Sequence, residues 1–314
     1  MARSRSLAAT GRGLEGLLTA ALAADGVFTY EDAMSAGVSR SALDRAVGRG
    51  RIERVLPRTY VVAGVPRTWW RDARAATRWS DGVLSHGAAS FALGLTDRVP
   101  EVIDVSGTNR QRPPTGTAIV PHNVDVLPQE IVIVREIPVT SGARTLLDVG
   151  AVTSDQELET MFEEALRRGL VSCARLRWQL RHRGRNGRPG TAALRNLLDR
   201  RDPRQAPAES VLETKVARWF RSTRLPPPTR QFRVVHEGRH VARLDFAYPR
   251  SQLAIEALSY RWHSGRREWL KDRDKKRRLE ALGWTVKYVI EEDVDERSAQ
   301  LEREIAAALG ITLF

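Results

Sequence analysis

Apolar positions recur along this chain with two different periods, and the places where the period changes divide it into regions. Leu14, Leu17, Leu18 and Leu22 fall on one helical stripe, which ends before Asp25-Gly26. A second short helix is predicted from about Tyr30 to Ala36, where Gly37 breaks it. A third begins at Ser39, a favourable N-cap, and turns Ala42, Leu43 and Val47 inward while Arg40, Ser41, Asp44, Arg45 and Arg49 face out. RIERVLPRTYVV then reads as strand, Pro-Arg turn, strand. From residue 64 to about 150 the pattern is mixed, with β-rich runs EVIDVSG and EIVIVREIPVT. A helical basic stretch follows, interrupted by GRNGRPG at 184–190, a turn or hinge, and closed by RRDPRQAP at 200–207, a linker.

Beyond the linker one unit reads helix, long loop, strand, strand, helix, strand, helix. ESVLETKVARWF is amphipathic, with Val211, Leu212, Val216 and Phe220 apolar. VARLDFAYP and LAIEALSY alternate as strands joined by the short connection PRSQ. The basic helix RREWLKDRDKKRRLEALG, the strand GWTVKYVI and a closing helix at 296–309 complete it. The expected fold class is α/β, or α+β multidomain, with domains at 10–63, 64–200 and 208–314.

Composition narrows the function. With 42% hydrophobic and 28% charged residues in 314, the chain has ample material for packed cores. No apolar stretch is long enough to span a bilayer, so no membrane partner is expected. The early run with Arg3 and Arg5 begins like a secretory leader, but Glu15 interrupts it and a helix fits better. A single cysteine, Cys173, excludes an intrachain disulfide and a cysteine-based zinc site, and points to a cytoplasmic location. The net charge of +13 is concentrated: residues 167–204 carry 12 arginines against two aspartates. Such a cluster gains affinity for a polyanion by releasing condensed counterions, so DNA is the expected partner. The competing reading is a general arginine bias that solvates helix faces.

The N-terminal layout is that of a winged helix-turn-helix, whose third helix enters a major groove. Ser39, Arg40, Arg45 and Arg49 are the expected base and phosphate contacts of that helix. Arg51, Arg54 and Arg58 would reach the flanking backbone from the wing, and Arg183 and Arg185 would add phosphate contacts. DGVFTYEDAMSAGVSRSALDRAVGRGRIERVLPRTYVVAG resembles the N-terminal domain of AbiEi-type antitoxins, the transcription-repressing half of type IV toxin–antitoxin systems. SHGAASFALGL and IPVTSGARTLLDVG are similar to that family's middle domain. The resemblance covers about residues 10–170 and implies DNA binding and a toxin or other protein partner. His86 and Arg144, within those motifs, read as structural: a helix-start histidine, and an arginine one turn from Asp148.

In the last unit the carboxylates follow a pattern that metal chemistry uses. Glu213 lies on the first helix, and Asp245 and Glu256 lie on successive strands, where strand alternation turns them away from their apolar neighbours. Convergent carboxylates on buried strands are costly unless a cation neutralises them. Mg²⁺, or Mn²⁺, held by Asp245 and Glu256 would polarise a phosphodiester and activate water. His263 is the candidate general base and Asp272 would orient it. The ordered set SVLE, LPPPTRQF, LDFAYP, LAIEALSYRWH, DRDKKRRLEALGWTVKYV resembles a domain family related to very-short-patch-repair endonucleases, in the PD-(D/E)xK superfamily. The resemblance implies a mixed central sheet and assigns catalytic places to Glu213, Asp245, Glu256, His263 and Asp272. Leu258 stands where that superfamily's signature has its lysine, and Lys287 on the next strand is a candidate substitute. Two functions stay open: a DNA-binding protein that also cleaves DNA by Mg²⁺-assisted hydrolysis, or an antitoxin-like regulator whose nuclease-like domain only binds nucleic acid or a protein.

Overall fold

The computed structural model describes residues 13–108, 112–183, 190–200, 211–258 and 266–313, with the side chains of 266–272 outside the described residues. The fold is mixed α/β, and the described residues build three separate sheets. They divide into two compact units, one running to Ala165 and including Gly169–Leu198, the other taking Leu166–Arg168 and the chain from Asp199 onward.

The first unit opens with α1 (Gly13–Leu22), β1 (Val27–Thr29), α2 (Tyr30–Ser35) and α3 (Arg40–Gly48), followed by β2 (Ile52–Leu56) and β3 (Thr59–Val62). The three strands form an antiparallel sheet in the order β1-β3-β2. Leu17, Phe28, Val38, Leu43, Ile52 and Tyr60 share its core. Thr29 and Asp32 cap α2 reciprocally, and the Ser39 hydroxyl accepts from the Ala42 N–H at 3.2 Å to start α3. Ala46 rather than Val47 completes the buried stripe of α3 with Leu43, an i, i+3 step; Val47 is exposed.

α4 (Trp69–Ser80) joins this small sheet to a second one. Its buried Arg74 donates to Asp25 at 2.9 Å and to the Arg135 carbonyl at 2.8 Å, and Arg78 pairs with the buried Asp32. β4 (Val83–Leu84), α5 (His86–Ala92), β5 (Ile103–Gly107), β6 (Ile119–Asn123), β7 (Ile131–Val134) and β8 (Ile137–Thr140) follow. Their five strands take the order β6-β5-β4-β8-β7, with β5–β6 and β4–β8 parallel. α6 (Gly142–Val149), α7 (Asp155–Arg167), α8 (Cys173–Arg183) and α9 (Thr191–Arg200) come next. Gly190, at the start of α9, has φ +80°, and a Cβ there would lie 2.3 Å from the Leu147 carbonyl oxygen. Only glycine allows α9 to approach α6 so closely.

The second unit contains α10 (Val211–Ser222), β9 (Thr229–His236), β10 (Arg239–Tyr248), β11 (Leu253–Ala257), α11 (Arg266–Ala281), β12 (Thr285–Val289), α12 (Glu291–Asp295) and α13 (Ser298–Leu309). Its sheet runs β12-β11-β10-β9 and is mixed, because β11 and β12 are parallel and the other pairs antiparallel. β9 occupies what reads in the sequence as a loop. A two-residue turn, Glu237-Gly238 with both φ positive, joins it to β10. One apolar cluster holds Leu212, Val216 and Phe220 of α10 with Phe246, Ile255 and Val289 of the strands and Leu301 and Ile305 of α13. The other holds Val234, Leu244, Ala247 and Ala254 with Leu279 of α11 and Trp284. A sheet covered on both sides forces any acid on its strands to find a partner.

Candidate functional site

Ser39, Arg40, Ser41, Asp44, Arg45 and Arg49 are all exposed on and beside α3, as its periodicity predicts. Among the described residues, Arg40, Arg45 and Arg49 make no ion pair; the arginines of the following hairpin segment differ. Arg51 pairs with Glu15 at 2.7 Å, and Arg58 pairs with Glu31 while lying over the Tyr30 ring at 4.9 Å. Arg54 donates to the Tyr60 hydroxyl at 3.3 Å. Arg58 is also held at φ +58° by the turn that follows Pro57. Among the described residues, the arginines without an ion pair here therefore lie on and beside one short helix, whereas Arg51 and Arg58 are oriented by carboxylates and Arg54 by a phenol.

The basic stretch does not behave as one surface. Arg183 turns inward, donating to Glu130 at 3.1 Å, and Arg185 lies outside the described residues. Arg144, 1% exposed, donates through Nε to both oxygens of Asp148 at 2.9 Å and through Nη1 to Glu130 at 3.0 Å. Burial pushes the Glu130 carboxyl up, but the Leu127 N–H, the Gln179 amide and Arg144 outweigh it and hold the group below the usual glutamate range. Asp148 was legible from its spacing; Glu130 and Gln179 carry no local signal and enter only through the tertiary fold.

In the second unit the acids fall at the point where the sheet ladder opens. β10 and β11 pair from Tyr248↔Leu253 to Phe246↔Ile255, so Asp245 and Glu256 face each other one residue beyond the ladder. There the Ala257 N–H donates to Asp245 Oδ2 at 3.0 Å instead of to a strand carbonyl. Alternation also breaks at Asp245. Leu244 packs with Leu279 and Trp284, whereas Phe246, two residues on, packs with Val216 and Ile255. The expectation that Asp245 simply opposes one apolar face is corrected: its neighbours lie in different clusters. Opposite it, Gln231 has φ +49°, the kind of local irregularity that re-aims a side chain.

Glu213, 1% exposed, accepts from Gln231 Nε2 at 2.8 Å and lies 3.5 Å from Arg230. Burial, and then the charge of Asp245, push its carboxyl up to about 7; burial likewise raises Asp245. Glu256 accepts from Lys275 of α11 at 2.7 Å. The two line a cleft of about 130 Å³ together with Leu258, Lys276 and Tyr288. Lys275 thus brings to Glu256 the ammonium that Leu258 cannot supply. Lys287 does not substitute: its register partner is Ile255, on the other side of the strand from Glu256, and it donates to Glu304 at 2.6 Å. His263 and the Asp272 side chain lie outside the described residues.

Three ligand atoms from Glu213, Asp245 and Glu256 do not gather within 4.8 Å of one another. Among the described residues one set of histidines, cysteines and acids does: His86, Asp104 and His122, at the edge of the five-stranded sheet.

Comparison with known proteins places a family match near the N-terminus. Residues 17–63 match the family model described as "Transcriptional regulator, AbiEi antitoxin". The chain is 32% identical over 170 residues, 54% of its length, to uncharacterized proteins from two strains of Mycobacterium tuberculosis, and spans 61% of the length of each.

Proposed function

We propose that this chain is a sequence-specific DNA-binding regulator whose N-terminal module is a winged helix-turn-helix. The carrying observation is that α3 is fixed by Leu43 and Ala46 while it and its C-cap present Arg40, Arg45 and Arg49 exposed and, among the described residues, without carboxylate partners. A guanidinium free of internal partners can donate in fork geometry to guanine edges or to phosphate. The β2–β3 hairpin, with Arg54 and Arg58, would flank the groove as the wing. The family match over the same residues supports this reading.

The test is a binding titration against a randomised DNA pool at several salt concentrations. Arg40→Ala and Arg45→Ala are expected to relax preference at individual bases, each costing about 1–3 kcal/mol at its position. Loss of affinity that is uniform across all sequences would remove the recognition role. Binding of a protein instead of DNA, insensitive to nuclease treatment, would point to the toxin-partner alternative.

A second reading rests on the second unit. Asp245 and Glu256 face one another beside the Lys275 ammonium, and two carboxylates are enough to hold Mg²⁺ or Mn²⁺ when waters and phosphate supply the remaining ligands. The residues fit such an ion as a two-carboxylate site, and the ion would supply Lewis acidity toward a phosphodiester. Lys275 would hold the charge of Glu256 and donate toward an incoming phosphate oxygen. Metal-dependent nicking of DNA, lost in both Asp245→Asn and Glu256→Gln, is the expected result. No nicking across single- and double-stranded substrates leaves a domain that binds without cutting.

A further inference from the structure

We infer that His86, Asp104 and His122 form a divalent transition-metal site, separate from the carboxylates of the second unit. The three residues come from three elements. His86 begins α5, Asp104 lies on β5, and His122 lies on β6. Parallel pairing of β5 and β6 sets Asp104 opposite Val120 and Ser106 opposite His122, so Asp104 and His122 occupy the same face two residues apart in register. Asp104 Oδ1 meets His122 Nε2 at 2.8 Å. Its other oxygen looks toward the start of α5, where a Cβ on Gly87 would lie 3.5 Å from Oδ2. The His86 ring stacks on the His122 ring, with centroids 3.8 Å apart and planes inclined by 19°.

Several features fit a ligand set better than a passive ion pair. His86 has φ +47°, in the left-handed region, where the chain turns into α5. Its Nδ1 is engaged by the Ser85 hydroxyl at 3.0 Å, which fixes the ring and leaves Nε2 for coordination, the arrangement that outer-shell partners give to metal-bound histidines. The site is not sealed: the His122 and Asp104 side chains are 26% and 12% exposed, which leaves an approach for an ion.

Admitting an ion requires the Asp104–His122 contact to open and the two stacked imidazoles to turn out of parallel, because a metal lies near the plane of each ring it binds. Two ligand atoms each about 2.0 Å from a tetrahedral Zn²⁺ stand about 3.3 Å apart. The Asp104–His122 contact stands at 2.8 Å. Two imidazoles and one carboxylate suit Zn²⁺, Co²⁺, Fe²⁺ or Ni²⁺ rather than Mg²⁺, whose preference is for oxygen alone. Three protein ligands also leave a position for water.

The experiment uses the full chain freed of any polyhistidine tag. Zn²⁺ is titrated calorimetrically, and Co²⁺ is followed by its visible absorption. One equivalent per chain is expected, with a Co²⁺ spectrum of a nitrogen and oxygen site lacking thiolate charge transfer. His86→Gln, His122→Gln and Asp104→Asn should each weaken Zn²⁺ at least about tenfold. His236→Gln, at the exposed end of β9, should not. On the unaltered chain, which needs no variant to fold, bound Zn²⁺ should protect His86 and His122 from carbethoxylation while His182 and His236 stay reactive. The inference fails if no saturable equivalent binds, if those two histidines gain no protection, or if Asp245→Asn abolishes binding and so assigns the ion to the second unit.

Discussion

Glu213 offers the sharpest test of the electrostatics in the second unit. Its carboxyl is 1% exposed and is pushed from 4.5 to about 7, first by burial and then by the charge of Asp245. A carboxyl whose folded value is raised contributes stability that is fully present below its unfolded value and is lost as pH rises through the folded one. The window here is therefore about 4.5 to about 7. At about 1.4 kcal/mol per pH unit, ionising Glu213 in place costs about 3 kcal/mol above that window. Glu213→Gln keeps the shape and an oxygen able to accept from Gln231 Nε2, and cannot ionise. Urea unfolding, followed by the fluorescence of Trp219 and its neighbours, would compare variant and parent at about pH 4 and about pH 8. The two should match within about half a kcal/mol at the lower pH, with the variant ahead by up to about 3 kcal/mol at the higher. A gap independent of pH would refute the reasoning. So would a parent that gains on the variant as pH rises, which would mean that Arg230 more than offsets the burial.

Three further outcomes are expected. Arg144→Ala removes the cation shared by Asp148 and Glu130 and should cost about 3–5 kcal/mol in chemical denaturation, with Arg144→Lys restoring little because an ammonium cannot reproduce the fork. Lys275→Met should destabilise the second unit by about 1–3 kcal/mol, and adding Glu256→Gln should recover part of that loss in a double-mutant cycle; strict additivity would deny the coupling. Gly190→Ala, which meets the Leu147 carbonyl, should lower the midpoint of thermal unfolding by several degrees, whereas Gly37→Ala, with open space around it, meets only the strain of its positive φ.

What could be read before the fold was known follows the range of the interaction that decides it. The Ser39 cap, the α3 faces and the Pro57-Arg58 turn depend on neighbours within four residues, and the sequence shows them. So do the strands around Asp245 and Glu256. β9 escaped because TRQFRVVH places polar residues on both faces beyond a proline run, and only pairing with β10 makes it a strand. Val47 is exposed against the inward place its spacing predicts, because helical period alone does not say which of two adjacent apolar residues is covered. Lys275 was one cation among several on a basic helix, and selecting it needs the register of β11 against α11. Asp104 and His122 were least visible: one sits in an ordinary β-run and the other looks like a lone histidine. Only the parallel pairing of β5 with β6 brings them together.

The two salt contacts made by α4 limit how this protein can be taken apart. Excising residues 10–63, the stretch that sequence pattern marks as a domain, would strip Arg78 from the 4%-exposed Asp32 and Arg74 from Asp25. The smallest transplantable piece therefore extends through Ser80. A chimera spliced earlier leaves Asp32 with its Thr29 cap but without its Arg78 cation, so recombination that moves this segment onto a different body is constrained to carry the arginine-bearing helix along as baggage.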